Sequence, residues 1–144
     1  MAPLVVLLVV TAVTRLAGWL HLTGWLDSWP HAARTGLAAM FLLTGIAHFT
    51  QPRRNGLIAM VPPRLPAPAT LVTVTGVLEL AGAAGVLIPP VAPVAAGCLA
   101  VLLVVMFPAN IRAARADLGI KSMPLPLRTV VQVVFIGACV LVTL

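Results

Sequence analysis

Long runs of apolar residues, separated by short polar connections, occupy most of the chain. A helix that spans a bilayer needs about 20 apolar residues, with a tolerated range of roughly 17–25. Four of the runs reach this length, and the second reaches it if it extends over residues 32–50. No run alternates apolar and polar residues as a strand does, so the pattern predicts an all-α, polytopic membrane helix bundle. The five predicted helices cover residues 3–22, 36–49, 69–87, 91–109 and 126–144.

The composition narrows the class of protein and its partners. Of the 144 residues, 61% are hydrophobic and 8% are charged, and the mean hydropathy is +1.13. Soluble domains carry about 25% charged residues, so this chain is neither a soluble enzyme nor a disordered tail. The net charge of +6 is spread over the connections and does not form one basic face. We therefore expect contact with a lipid bilayer and a possible membrane protein partner, and no nucleic acid. The length predicts a single domain over residues 1–144.

The basic residues predict the orientation in the membrane. They concentrate in two connections, at residues 51–68 and 111–123, which lie on the same side of a five-helix bundle as the N-terminus. Because basic loops stay in the cytoplasm, we expect a plasma (inner) membrane protein with a cytoplasmic N-terminus and an external C-terminus. The first helix lacks a basic segment before it and a clear cleavage site after it, which favours a retained helix over a signal peptide. The basic residues on the cytoplasmic side are Arg53, Arg54, Arg64, Arg112, Arg115, Lys121 and Arg128, and Arg34 is on the opposite side.

Two packing predictions follow from smaller patterns. The apolar segment 55–61 is too short to span, so we expect it to lie in the membrane interface or beneath the bundle.

Small residues four apart let helix backbones approach closely in lipid. Ala81 and Gly85 in the third apolar helix, and Ala92 and Ala96 in the fourth, form such pairs. We therefore expect these two helices to form the tightest antiparallel pair.

Five short motifs occur in a fixed order along the chain. They are GIAHF at 45–49, MVPP at 60–63, TGVLEL at 75–80, FPANI at 107–111, and PLR at 126–128 followed by Gln132. The motifs, their order and their positions relative to the apolar runs resemble those of the DoxX family of small bacterial integral membrane proteins, in its DoxX-like branch. The resemblance implies a four-helix bundle over residues 35–144. The helix at residues 3–22 is then an additional N-terminal transmembrane helix.

Two charged residues lie inside predicted helices, where a charge at the bilayer centre costs roughly 2.5–3.5 kcal/mol. Arg15 and Glu79 are predicted at similar depths of two parallel helices, so we expect them to form an intramembrane ion pair. In one alternative, Arg15 extends towards the headgroups and Glu79 is protonated and bonded to Thr75 or a nearby carbonyl. In another, Glu79 is a carboxylate that titrates or binds a ligand.

A second polar group is predicted near the cytoplasmic ends of three helices. His48, Asn110, Arg128 and Gln132 should share one layer there. Separate hydrogen bonds at helix ends would account for them, with Asn110 capping its own helix and Arg128 on lipid phosphate. Alternatively they form a polar pocket that holds an anionic or quinone-like headgroup. No cofactor follows from the sequence alone, although a quinone is possible.

Other reactive side chains are sparse. Cys98 and Cys139 are predicted in the outer halves of two helices, either as small apolar fillers or as a redox pair. His21 and His31 lie near the outer connection with no third ligand at metal spacing, so we expect no metal site. We also identify no catalytic residue.

The sequence supports three functional hypotheses. The first is a non-catalytic accessory or scaffold subunit for a membrane redox or assembly partner, since the loops are too short for a soluble active site. The second, from the resemblance, is a subunit of a quinone-linked oxidoreductase of the thiosulfate:quinone type, with Glu79, His48 and Arg128 handling quinone and protons. The third is a small-molecule transporter. The sequence shows none of the inverted repeats that many transporters have, which makes this hypothesis the weakest of the three.

Overall fold

The computed structural model describes residues 1–119 and 123–144, and Lys121 lies outside the described residues. The described part is all-helical, with six α-helices and a short 3-10 turn at Gly24–Leu26, which confirms the predicted fold class. The helices are α1 (Ala2–Trp19), α2 (Trp29–Ala47), α3 (Arg53–Met60), α4 (Pro68–Gly85), α5 (Ala92–Arg115) and α6 (Leu125–Thr143).

Local sequence explains where most of the helices begin. A proline lies in the first turn of α1, α2, α4, α5 and α6, where its missing N–H leaves no hydrogen bond unmade. The side chain of Ser28 caps α2 by accepting from the backbone N–H of His31 at 3.3 Å. Several helix ends differ from prediction: α2 begins at Trp29 instead of residue 36, and two other differences bear on the site. Helix α1 ends at Trp19 instead of residue 22, and α5 continues through Pro108 to Arg115.

Within the described residues, four helices are long and apolar enough to cross a membrane: α1, α4, α5 and α6. The sequence predicted a fifth span, and the corresponding helix α2 has 19 residues but is less apolar. Helix α2 is the central helix, since it packs against α1, α4 and α6. Its faces are therefore largely covered by neighbouring helices. The large core side chains include Leu37, Met40 and Phe41 of α2, with Val86, Leu99 and Val142 around them.

The most extensive helix pairs are α1 with α2, α5 with α6, and α2 with α4. The prediction that α4 and α5 form the tightest pair was wrong. These two helices meet closely beside the turn that joins them, where a Cβ on Gly85 would lie 2.8 Å from Cβ of Ala95. They share less contact overall, because cavities open between them further along.

Helix α3 is the short segment that follows α2. None of its eight described residues is buried, so it does not lie beneath the bundle. It packs mainly against α4 and α5. Two arginines fasten it: Arg54 within α3, whose contacts are described below, and Arg112 of α5, whose Nε donates to the carbonyl of Ala59 at 3.2 Å.

Candidate binding site

Glu79 lies in α4 and faces α2. Only 4% of the residue is exposed, and its Oε2 accepts a hydrogen bond from the hydroxyl of Thr44 at 2.5 Å. Its Oε1 lies 3.9 Å from Nε2 of His48, which is itself 3% exposed. The partners of the buried carboxyl are therefore a threonine of α2 and the histidine that directly follows this helix. We call the buried residues His48 and Glu79, together with the partly buried Thr44, the buried polar triad.

The geometry assigns the proton on one nitrogen of His48. Its Nδ1 lies 2.9 Å from the backbone carbonyl of Thr44. A carbonyl can only accept, so Nδ1 carries a hydrogen and Nε2 faces Glu79. The separation of 3.9 Å exceeds hydrogen-bond distance, so Nε2 faces the carboxyl group without donating to it.

The close approach of α2 and α4 at this point depends on glycine. A Cβ built on Gly76 would lie 2.5 Å from Cβ and 2.9 Å from Cγ of His48. A Cβ on Gly45 would lie 2.7 Å from Leu80 Cδ2 and 3.4 Å from the carbonyl of Gly76. Because these positions lack side chains, the histidine of one helix can lie against the backbone of the other.

Arg54 secures the end of α2 from which His48 projects. Its Nη1 donates to the backbone carbonyl of His48 at 2.6 Å. Its Nη2 donates to Oγ1 of Thr73 at 2.9 Å and to the carbonyl of Ala69 at 3.3 Å. The last carbonyls of a helix lack partners within it, and a cation there is favourable. In the sequence Arg54 is predicted only as a topology signal, although an arginine just past a helix end is the available signal for this role.

An apolar cavity of about 190 Å³ lies beside His48, between α3, α4 and α5. Its walls are aliphatic, and its polar lining residues are His48, Thr75 and Asn110. Glu79 does not line it and lies behind His48. The remaining lining residues are Leu57, Met60, Val61, Pro62, Leu65, Leu71, Val72, Val105, Met106, Pro108 and Ala109. We call this space the His48 cavity. It combines apolar walls with a few polar groups, as sites for small lipophilic ligands do.

The four residues predicted to form one polar pocket are divided between two cavities. His48 and Asn110 line the His48 cavity, whereas Asn110, Arg128 and Gln132 line a second cavity of about 180 Å³ beside the start of α1. Nη1 of Arg128 donates to Oδ1 of Asn110 at 2.8 Å, and Nε2 of Gln132 donates to the carbonyl of Leu103 at 2.6 Å. Because α5 continues to Arg115, Asn110 lies inside the helix and does not cap it.

The predicted ion pair between Arg15 and Glu79 is not formed. Nη1 of Arg15 instead lies 2.6 Å from Oδ1 of Asp27, in the connection to α2. Its guanidinium also lies over the rings of Trp19 at 5.0 Å and Trp29 at 5.5 Å. The physical reason is the early end of α1, which places Arg15 one turn from the loop. In addition, α1 and α4 each pack on α2 instead of on each other.

The described cysteines and histidines form neither a disulfide nor a metal site. Cys98 is exposed on α5 and Cys139 is buried in α6, and both are free thiols. Among the described residues, no group of three His, Cys, Asp or Glu side chains could hold a metal ion. His31 stacks on Trp25, with ring centroids 4.5 Å apart, at the end of the bundle where α1 joins α2.

These features define a helix bundle compatible with a multi-pass membrane protein, with a buried polar triad next to an apolar cavity. The chain belongs to the family described as Domain of unknown function (DUF8561), whose model matches residues 37–143. The match includes the triad and the His48 cavity and leaves α1 outside. Comparison with curated proteins and with solved structures gives no match.

Proposed function

We propose that the protein is an accessory membrane subunit that binds a quinone-type molecule for a redox partner. The observation that carries this proposal is the position of His48, which lines an apolar cavity and is backed by the buried carboxyl of Glu79. Apolar walls suit the ring and tail of such a molecule, and His48 and Asn110 offer hydrogen bonds to its oxygens. The resemblance to the DoxX family supports the same ligand class.

The energetic cost of the triad supports a role beyond packing. A buried pair of ionisable groups is seldom more stabilising than well-packed apolar side chains of the same volume, since both groups lose their hydration. Ionisable residues within membrane helices are therefore functional candidates by default. A purely structural scaffold, the first hypothesis from the sequence, would gain nothing from His48 and Glu79 beside an open cavity.

The pair also suits the chemistry of a quinone. A quinone takes up protons when it is reduced, and its hydroquinone releases them when it is oxidised. His48 can exchange a proton with a bound oxygen, and Glu79 can restore the charge balance behind it. The electrons would come from or go to the partner subunit, so the chain itself binds the molecule and moves a proton.

The proposal includes an orientation. With α2 as a fifth span, the arginine-bearing connections and the His48 cavity would face the cytoplasm in the plasma membrane, and the C-terminus would lie outside. Helix α3 would then lie at the inner interface as one wall of the cavity, with Arg54 and Arg112 fastening it.

Quinone binding to the purified protein in lipid nanodiscs tests the proposal. We expect saturable binding of a decyl-substituted benzoquinone with one molecule per chain. His48→Leu and Glu79→Gln should weaken it at least tenfold, whereas His31→Gln, at the other end of the bundle, serves as the matched control and should not. Binding that does not saturate, or that is unchanged in His48→Leu, would contradict the proposal and favour the scaffold.

A further inference from the structure

Asn110 is a lining residue of both cavities described above. It lies in α5, in the wall between the His48 cavity and the second cavity, and it is only partly exposed. In the second cavity its Oδ1 accepts from Nη1 of Arg128 at 2.8 Å. A residue of α6 thus contacts a residue that also lines the His48 cavity.

This contact fixes which way the amide points. An asparagine side chain has one accepting oxygen and one NH₂ group with two donors, whereas a guanidinium can only donate. If the amide turned over, its NH₂ would meet the N–H of Arg128, and both groups would lose a hydrogen bond. Arg128 therefore holds the oxygen of Asn110 on its own side, and the NH₂ donor is the end of the amide that does not face Arg128.

We propose that Asn110, positioned by Arg128, donates a hydrogen bond to a carbonyl oxygen of the molecule in the His48 cavity. This inference rests on the proposed function. It makes Asn110 a specificity-determining residue that favours the carbonyl form of the ligand over the hydroxyl form. Arg128 is a positioning residue, because it acts through the amide and does not line the His48 cavity.

The chemistry gives the expected direction and size of the preference. A quinone carbonyl oxygen accepts from the NH₂ group through either of its two in-plane lone pairs. A phenolic hydroxyl oxygen is a weaker acceptor, because it shares a lone pair with its ring and must keep its own hydrogen away from the donor. A site that offers a fixed donor discriminates against a ligand that does not accept well from it. One hydrogen bond of ordinary strength corresponds to about tenfold in affinity. We expect the wild-type protein to bind the quinone about tenfold more tightly than the hydroquinone.

The test measures dissociation constants for a decyl-substituted benzoquinone and for its hydroquinone, under anaerobic conditions in nanodiscs. Asn110→Asp keeps an acceptor for Arg128 and replaces the donor by a second acceptor. The preference should then fall by about tenfold or more, or reverse in favour of the hydroquinone. Arg128→Met, which lets the amide turn, should bring the ratio towards one, and Arg128→Lys should restore part of it. Arg115→Met removes a charge from the exposed end of α5 and is the matched control, with an unchanged ratio.

The ratio separates recognition from a merely structural role. A variant that only loosens the bundle lowers both affinities together and leaves the ratio unchanged, which would overturn the inference while leaving the proposed function intact. Equal binding of quinone and hydroquinone by the wild type would overturn it in the same way. Absence of saturable binding of either molecule would overturn the proposed function, and this inference with it. If Asn110→Asp does not fold, the Arg128 variants decide the matter by the same ratio.

Discussion

Replacing Gly76 by alanine tests whether the triad depends on the close approach of α2 and α4. The added Cβ would lie 2.5 Å from Cβ of His48, whereas ordinary contact begins at 3.4 Å. One helix would have to move by about 0.9 Å, or the histidine would have to turn away. Overpacking of this kind costs about 1–3 kcal/mol. A shift of that size would also lengthen the 3.9 Å separation between His48 and Glu79.

The assay for Gly76→Ala combines thermal unfolding in detergent with quinone affinity. We expect a lower melting temperature and at least tenfold weaker binding than in the wild type. The matched control is Gly97→Ala in α5, where no described atom lies within 4 Å of the new Cβ. That variant should differ from the wild type by less than about 1 kcal/mol in stability. If Gly76→Ala had the melting temperature and the quinone affinity of the wild type, the role assigned to the contact between Gly76 and His48 would be refuted.

Three other predictions address separate parts of the structure. Arg54→Met removes the guanidinium that donates to the backbone carbonyl of His48 and should destabilise the bundle by about 1–3 kcal/mol. The control Arg53→Met should lower the melting temperature much less. Equal effects of the two substitutions would contradict the role of Arg54. Arg15→Met and Glu79→Gln should have additive effects on the free energy of unfolding, within about 0.5 kcal/mol, because the two residues do not share a partner. A larger coupling energy between the two substitutions would indicate that Arg15 and Glu79 form an ion pair. A reporter fused to the C-terminus should be accessible from outside intact cells, and a protected one would refute the five-span orientation.

The sequence was informative about which residues are unusual and less so about what they contact. Its apolar runs predicted the helices, and its charge pattern singled out Glu79 and His48 as polar groups in apolar surroundings. The predicted pairing of Arg15 with Glu79 was wrong, because the depth of a residue along its helix does not determine which helices are neighbours. The partner of Arg15 is Asp27, which lies only twelve residues further along the chain. A local contact with the loop thus satisfies Arg15 without a distant partner.

The central position of α2 was also difficult to predict. Hydropathy measures suitability for lipid, and a helix surrounded by other helices can be less apolar than its neighbours. Helix α2 combines lower hydropathy with glycines at positions 36 and 45, each of which meets another helix closely. These two features together were the available signal. The division of the predicted pocket depended on α5 continuing past Pro108, which no local pattern indicated.

Photo-crosslinking of a quinone to the protein in nanodiscs tests the central claim most directly. A benzoquinone with a photoreactive tail is irradiated with the wild-type protein, and the labelled peptides are mapped by mass spectrometry. The account predicts labels on the walls of the His48 cavity, at residues 57–65 and 105–110, that disappear with excess unlabelled quinone and in His48→Leu. Labels spread over the lipid-facing surfaces of α1 and α6, without competition, would contradict it.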